Sequence, residues 1–303
     1  MNTRLTFLTV ALLSASSLHA QSLEIVSSFS ILSDVAKQIG GERVSVSNLV
    51  PADGDAHAYQ LTSGDIRKIT SAKLILINGL GLESGDVVRA VQQSKVPYAE
   101  AAKGIEPLKN DENAHHHHHD EAGHAHHDHG EFDPHVWHDP VLMQKYAANV
   151  TAALIKADPA GSSYYQARFK AYSTELTRLD AYARQQFNAV PREHRKVLTG
   201  HHSFGYLGKR YGVTFLAPQG VSTEAQPSAR TVAAIIRQIK QQGIKAVFTE
   251  NIKDGRIVQR ISQETGVKVG GKLYSDALSK DSNAKTYTDL FRYNVRVMSG
   301  AMK

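Results

Sequence analysis

The chain has 303 residues, of which 41% are hydrophobic, and a formal net charge of +6. Lysine and arginine are scattered among acidic residues with no run of four, and no nucleic-acid-binding motif is present, so a nucleic-acid partner is not predicted. The absence of cysteine excludes disulfides, thiolate metal ligands and a lipid attached to cysteine, so the fold must be held by its hydrophobic core.

The first twenty residues have the pattern of a secretory signal. Arg4 supplies positive charge, residues 5–13 form a short apolar run, and Ala20 ends a sequence typical of a cleavage site. The apolar run is too short to cross a membrane as a helix, and it lacks the polar face of a surface helix. We therefore expect a soluble periplasmic protein whose mature chain begins near Gln21.

Short apolar segments alternate with helical segments in two blocks. We predict strands at 23–26, 43–50, 73–77, 196–199, 213–216, 246–249 and 267–269. A helix follows the first strand, with Ser30 as a candidate cap and Gly40-Gly41 as its end. Such alternation is typical of α/β lobes with parallel sheets.

Residues 162–187 contain no glycine or proline and carry an apolar stripe at spacings of three and four: Tyr165, Phe169, Tyr172, Leu176, Leu179 and Tyr182. A helix of roughly 26 residues is about 40 Å long, enough to pass along two lobes. We predict an α/β fold of two lobes, each a parallel sheet flanked by helices, joined by one long α-helix. The expected divisions are a signal peptide (1–20), a first lobe (21–160), the connecting helix (161–189) and a second lobe (190–303).

A histidine-rich tract interrupts the first lobe at about 109–131. Its nine histidines fall within fifteen residues and are His115, His116, His117, His118, His119, His124, His126, His127 and His129. Neutral imidazoles bind borderline-soft divalent metals, and a tract without large apolar side chains cannot form a core, so we predict a disordered metal-binding loop. An expression tag is the alternative, but the tract is internal and interleaved with Asp and Glu.

Four other residues lie after predicted strands or in connecting loops: His57, His135, His201 and Asp276. Ligands of open α/β sheets bind beyond the carboxyl ends of the strands. Two residues from each lobe can therefore converge in the cleft between the lobes, although each histidine alone is better explained as a hydrogen-bonded loop residue.

Five longer motifs are specific in combination. They are 78–83 (NGLGLE), 133–140 (DPHVWHDP), 201–207 (HHSFGYL), 224–228 (EAQPS) and 273–276 (LYSD). With these motifs, essentially the whole mature chain resembles the zinc- and manganese-specific solute-binding proteins of bacterial ABC uptake systems that have a long connecting helix. The resemblance implies that His57, His135, His201 and Asp276 bind one metal ion in the interlobe cleft.

Three imidazoles and one carboxylate suit tetrahedral Zn²⁺, whereas manganese-selective members tend to have Glu at the position of His201. The resemblance thus implies a monomeric periplasmic protein, not an enzyme, that captures one Zn²⁺ tightly, with weaker Zn²⁺ binding in the tract. It would deliver the metal to the membrane subunit of an ABC permease, with a periplasmic metallochaperone as a further candidate partner. Alternatives are a Mn²⁺-binding protein of the same type, a periplasmic zinc buffer or chaperone, and a metallohydrolase with Asp276 as base.

The chain departs from the family pattern at three positions. His138 stands where a leucine is usual, Gln226 where a glutamate is usual, and His202 adds an imidazole beside His201. We treat His138, His202 and Glu224 as candidates for additional contacts at the site. The preferred expectation is that His138 and His202 are partly exposed and do not bind the metal.

Overall fold

The computed structural model describes residues 22–110 and 131–303. It contains two four-stranded sheets in which every strand pair is parallel, with the orders β2-β1-β3-β4 and β6-β5-β7-β8. The strands are β1 (Leu23–Ser27), β2 (Val44–Asn48), β3 (Leu74–Ile77), β4 (Tyr98–Glu100), β5 (Lys196–Leu198), β6 (Thr214–Leu216), β7 (Ala246–Glu250) and β8 (Val269–Leu273). The first lobe is built on β1–β4 and the second lobe on β5–β8.

Helices flank both sheets, as the alternating pattern predicts. They are α1 (Ser30–Gly40), α2 (Ser63–Ser71), α3 (Gly85–Gln93), α4 (Pro140–Ala157), α5 (Ser162–Asn188), α6 (Gly205–Tyr211), α7 (Ala229–Gln242), α8 (Arg256–Thr265) and α9 (Tyr287–Ala301). The α/β fold with two parallel-sheet lobes is therefore confirmed. Among the residues that the structure describes, no helix has both the length and the apolar character needed to cross a membrane.

The long helix α5 has 27 residues and packs against α4, α1 and α9. Its buried side chains are Tyr165, Tyr172, Leu176, Leu179, Ala183 and Phe187. Phe169 and Tyr182 of the predicted stripe are only partly buried but contact the same core. That core extends from Ile25 in β1 to Phe248 in β7, so the helices join the interiors of the two lobes.

Two strands differ from the sequence prediction. The edge strand β4 was not predicted, because its three residues are mostly exposed and form no apolar run. The last strand occupies Val269–Leu273 instead of 267–269, because Gly270 and Gly271 resemble a strand end in the sequence. A Cβ atom at Gly270 would lie 2.6 Å from the Phe248 ring. Glycine therefore allows β8 to approach β7 closely.

The segment before α4 connects the two lobes near the carboxyl ends of the strands. The indole of Trp137 donates a hydrogen bond to the Ser275 carbonyl at 2.9 Å, and the Tyr287 hydroxyl donates one to the Trp137 carbonyl at 2.7 Å. Trp137 is fully buried. These bonds hold the short 3₁₀ turn Val136–His138, and His135 before it, against the second lobe.

Candidate metal centre

Four chain segments bring His57, His135, His201 and Asp276 together. His57 lies in the loop after β2, and His135 precedes the 3₁₀ turn before α4. His201 follows β5, and Asp276 follows β8. Each lobe thus contributes two residues from the carboxyl-end side of its sheet, where parallel sheets bind ligands.

One ligand-type atom of each of these four residues, hereafter the four-residue cluster, lies within 4.8 Å of the others. The Nε2 atoms of His57 and His135 are 3.2 Å apart. Asp276 Oδ2 lies 3.1 Å from His201 Nε2 and 3.4 Å from His57 Nε2, and Asp276 Oδ1 lies 3.5 Å from His135 Nε2. His57 is 4% exposed and the other three residues are 0% exposed, so the cluster is closed to solvent.

Several polar atoms of the cluster are buried and make no hydrogen bond with any residue that the structure describes. Both carboxylate oxygens of Asp276 and Nε2 of His201 are in this state, although they lie close to one another. His201 Nε2 and Asp276 Oδ2 are 3.1 Å apart, but they are not oriented to form a hydrogen bond. Buried polar atoms without hydrogen bonds are costly, and atoms that face a common centre are suited to binding a cation there.

Two further carboxylates orient the imidazoles. Asp133 Oδ1 lies 2.7 Å from His135 Nδ1, and Glu250 Oε2 lies 2.5 Å from His201 Nδ1. In each pair the Nδ1–H group of the imidazole points to the carboxylate, and Nε2 faces the centre of the cluster. Histidines that bind metals are commonly oriented in this way. Neither role was predicted from the sequence. Asp133 starts the DPHVWHDP motif, and Glu250 ends the strand β7, so motif membership and position at a strand end were the available signals.

The carboxylates also control the protonation of the cluster. Burial opposes the charged form of His135, but Asp276 and Asp133 outweigh it and raise its pKa to about 9. Burial likewise opposes charge on His201, but Glu250 and Asp276 raise its pKa well above the ordinary value. Burial would raise the pKa of Asp276, but His201 and His135 hold it well below its ordinary value. For His57, burial dominates and lowers the pKa. These carboxylates therefore favour the protonated forms of His135 and His201 in the metal-free cluster.

His138 is fully buried, so the expectation of partial exposure is wrong. Its ring packs against Phe204, with ring centroids 4.3 Å apart, and within residues 22–110 and 131–303 neither ring nitrogen has a hydrogen-bond partner. Burial, followed by the charge of His135, lowers its pKa to about 3. The 3₁₀ turn directs this side chain into the core behind the cluster, where a neutral ring is stable.

His202 and Glu224 lie outside the four-residue cluster, and both are exposed. His202 lines a groove of about 1180 Å³ that also includes Asp133, Lys109 and Asn110. Glu224 follows Thr223 in the loop before α7. The carboxylate beside His201 is thus that of Glu250, because the end of β7 lies next to the end of β5 in the sheet.

The nine histidines of the tract lie at 115–129, outside the described residues. The chain segments on the two sides of the tract are joined by a backbone hydrogen bond of 2.9 Å from Asn110 N–H to the Glu131 carbonyl. Lys109 and Phe132 form an isolated antiparallel β-bridge beside it. Asn110 lies on the groove that also includes Asp133. Both connections to the tract are therefore near the carboxylate that orients His135.

The chain is similar to known metal-binding proteins. A family model described as the periplasmic component A of the zinc-uptake complex, ZnuA, matches residues 25–301. The manganese-binding lipoprotein MntA of Bacillus subtilis (strain 168) is 30% identical over 293 residues, which cover 93% of this chain and 90% of that protein.

Two solved structures share the fold. The periplasmic zinc binding protein TroA from Treponema pallidum aligns with a TM-score of 0.83 and 28% identity, covering 93% of this chain and 99% of that one. A Mn-bound periplasmic metal binding protein from Candidatus Liberibacter asiaticus aligns with a TM-score of 0.79 and 29% identity, covering 92% and 99%. The chain therefore belongs to the ZnuA family and is the metal-binding, substrate-binding component of an ABC transporter, not an enzyme.

Proposed function

We propose that this protein captures Zn²⁺ in the periplasm through His57, His135, His201 and Asp276 and delivers it to an ABC permease. The observation that carries the proposal is the geometry of the four-residue cluster. Four ligand-type atoms from both lobes face one closed centre, and the oxygens of Asp276 make no hydrogen bond there with the described part of the chain.

The spacing of the atoms supports a tetrahedral site. With metal–ligand bonds of about 2.0 to 2.1 Å, the ligand atoms of a tetrahedral zinc site are about 3.3 Å apart. Asp276 Oδ2 lies 3.1 Å from His201 Nε2 and 3.4 Å from His57 Nε2, and the Nε2 atoms of His57 and His135 are 3.2 Å apart. All four ligand-type atoms lie within 4.8 Å of one another, so a zinc ion would draw the more distant side chains closer together.

Manganese is the second candidate, because several relatives are named for it. Both oxygens of Asp276 face the imidazoles, so a bidentate carboxylate would give a set of three nitrogens and two oxygens. Manganese favours oxygen ligands, whereas imidazole suits zinc. Three imidazoles in a set of four residues therefore favour zinc as the cargo.

We further propose that the histidine-rich tract binds additional Zn²⁺ weakly and supplies the tight site. Support comes from its composition and from the position of its two ends. Asn110 and Glu131 are hydrogen-bonded to each other beside the groove that includes Asp133. A tether at this place gives the imidazoles a high effective concentration near the cluster.

The family assigns the protein to an extracytoplasmic location and implies a membrane permease as partner. Several relatives are named lipoproteins. This sequence contains no cysteine, the residue whose thiol would carry a lipid. We therefore propose that the mature protein is free in the periplasm.

The test is a competitive titration of the purified metal-free protein with Zn²⁺ and Mn²⁺, followed by elemental analysis. We expect one tightly held zinc per chain and its retention against excess manganese. The matched variants His201→Ala and His202→Ala separate adjacent imidazoles: only His201→Ala should lose the tight site. Retention of zinc by His201→Ala, or preferential retention of manganese by the natural chain, would contradict the proposal.

A further inference from the structure

The loop that carries His57 contacts the second lobe through Asp55. One oxygen of Asp55, Oδ1, accepts hydrogen bonds from the backbone N–H groups of His57 at 3.1 Å and Ala58 at 3.4 Å. The other oxygen, Oδ2, accepts a hydrogen bond from the Thr223 hydroxyl at 2.6 Å and lies 3.4 Å from Lys253 Nζ. One carboxylate thus shapes the turn that presents His57 and also binds the opposite lobe.

The second-lobe partners of Asp55 are themselves joined. Lys253 Nζ donates a hydrogen bond to the Thr223 backbone carbonyl at 2.6 Å. Thr223 is only 1% exposed, and the Lys253 side chain is 21% exposed. Thr223 lies in the loop before α7, and Lys253 lies in the loop after β7. The contact is therefore a compact group of charge-assisted hydrogen bonds, which are stronger than neutral ones.

Asp53 makes a parallel connection two residues earlier in the loop. Its backbone N–H donates to the Leu278 carbonyl at 2.8 Å, and its carboxylate accepts from Asn251 Nδ2 at 2.9 Å and from the Ser279 hydroxyl at 3.0 Å. The loop thus contacts the second lobe through two acidic residues before His57, namely Asp53 and Asp55. Separation of the lobes at this edge requires both groups of bonds to break.

We propose that Asp55 is a positioning residue and that Asp55, Thr223 and Lys253 form an interlobe latch that sets the rate of metal release. The inference rests on the proposed metal site. His57 is the cluster residue on this loop, and His201 and Asp276 belong to the lobe on the other side of the latch. A metal ion bound by all of them leaves only after the loop moves away from the second lobe. Weakening the latch should therefore accelerate release more than it changes capture.

A purely local role for Asp55 is the alternative, because its Oδ1 also stabilises the turn. Thr223→Val distinguishes the two roles. It removes the hydroxyl that donates across the lobes, keeps the shape of the side chain, and leaves the hydrogen bonds of Asp55 to His57 and Ala58 intact. Any effect of this substitution on release must come from the contact between the lobes.

The experiment measures zinc release from the loaded protein after mixing with excess EDTA in a stopped-flow instrument. Trp137 is the only tryptophan, and its ring centroid lies 5.2 Å from that of His135, so its fluorescence reports on the site. We expect Thr223→Val to accelerate release about tenfold and Asp55→Ala to accelerate it at least as much, the loss of a charge-assisted hydrogen bond being the cause. The double variant should release zinc no faster than Asp55→Ala. Either single substitution already removes the same hydrogen bond between Thr223 and Asp55, so the second substitution adds nothing.

Thr231→Val is the matched control, because the Thr231 hydroxyl contacts Ser228 within the second lobe. It should release zinc at the natural rate. A natural rate in Thr223→Val, or independent effects of Asp55→Ala and Thr223→Val, would overturn the latch. If Thr223→Val does not fold, Lys253→Met removes the ammonium group that faces Asp55 across the lobes and should also accelerate release. Failure of the natural chain to bind zinc would instead refute the proposed function.

Discussion

The imidazole of His201 is fixed by Glu250, whose Oε2 lies 2.5 Å from His201 Nδ1. The other oxygen of the same carboxylate accepts hydrogen bonds from the backbone N–H groups of Gly200 at 2.6 Å and His201 at 3.0 Å. A Cβ atom at Gly200 would lie 3.0 Å from this oxygen. Glycine before His201 thus lets one carboxylate hold both the ring and the backbone of this residue.

This relationship predicts that Glu250→Gln weakens zinc binding although Glu250 is not a proposed ligand. The amide keeps the size of the side chain but cannot stabilise the Nδ1 proton equally well, and loss of such an outer partner typically lowers metal affinity about 10- to 100-fold. Competition with a zinc chelator measures the effect. Glu224→Gln, at an exposed position, is the matched control and should retain natural affinity. Equal losses in both variants would show that Glu250 has no special role.

Zinc binding should release protons well above the ordinary range of histidine titration. His135 has a pKa of about 9 in the metal-free protein, and that of His201 is also raised, but both rings must lose a proton to bind zinc through Nε2 while keeping Nδ1–H. Near pH 7.5 we expect about two protons per zinc ion. Calorimetry in two buffers of different ionisation enthalpy measures this number. Proton release confined to pH values below 6.5, the ordinary pKa of His, would contradict the raised values.

The same pKa shift predicts opposite pH dependences for fold stability and for metal affinity. Because the folded-state pKa of His135 is raised, its contribution to the stability of the metal-free protein is complete below about pH 6.5 and declines as pH rises toward 9. Zinc affinity instead increases over this window, because protons compete less. Thermal melting of metal-free and zinc-loaded protein across this range measures both trends. Parallel trends would be inconsistent with protonated His135.

Replacing His138 by leucine should leave zinc binding intact and stabilise the fold. Both ring nitrogens of His138 are buried and make no hydrogen bond among the described residues, and an unsatisfied buried polar group typically costs about 1 to 3 kcal/mol. Leucine retains an apolar contact with Phe204. Urea unfolding of the metal-free protein measures the gain, with His135→Leu as the variant that should lose zinc. Loss of tight zinc binding in His138→Leu would place His138 among the ligands.

Deleting residues 115–129 should leave the affinity of the tight site unchanged but slow its loading from a competing chelator. If the tract binds zinc weakly, as proposed, its imidazoles should raise the local zinc supply, because its flanking residue Asn110 lies on the groove that includes Asp133. The comparison needs both the dissociation constant and the loading rate, with and without the deletion. A loss of affinity of about a hundredfold or more, equivalent to about 2.7 kcal/mol, would mean that a tract histidine completes the tight site or that buffering by the tract is the main function.

The sequence predicted the fold best where a regular pattern has a single physical cause, such as burial of one face of a helix. Burial of one face of α5 produces the apolar stripe at 162–187, and strand ends followed by polar residues indicated the location of His201 and Asp276. Contacts between segments far apart in the chain could not be predicted in this way. Glu250 approaches His201 only through the pairing of β5 and β7, and Asp55 meets Thr223 only across the cleft. The burial of His138 was mispredicted because the 3₁₀ turn, not the sequence spacing, determines where its ring packs.

The paired charges of the metal-free cluster have a consequence for recognition by the permease. When a divalent cation replaces one proton on His135 and one on His201, the formal charge of the site does not change. The long-range electrostatic field of the loaded protein is then nearly the same as that of the empty one, although such fields steer the association of proteins. The permease would therefore attract both forms at similar rates and would have to distinguish them after contact.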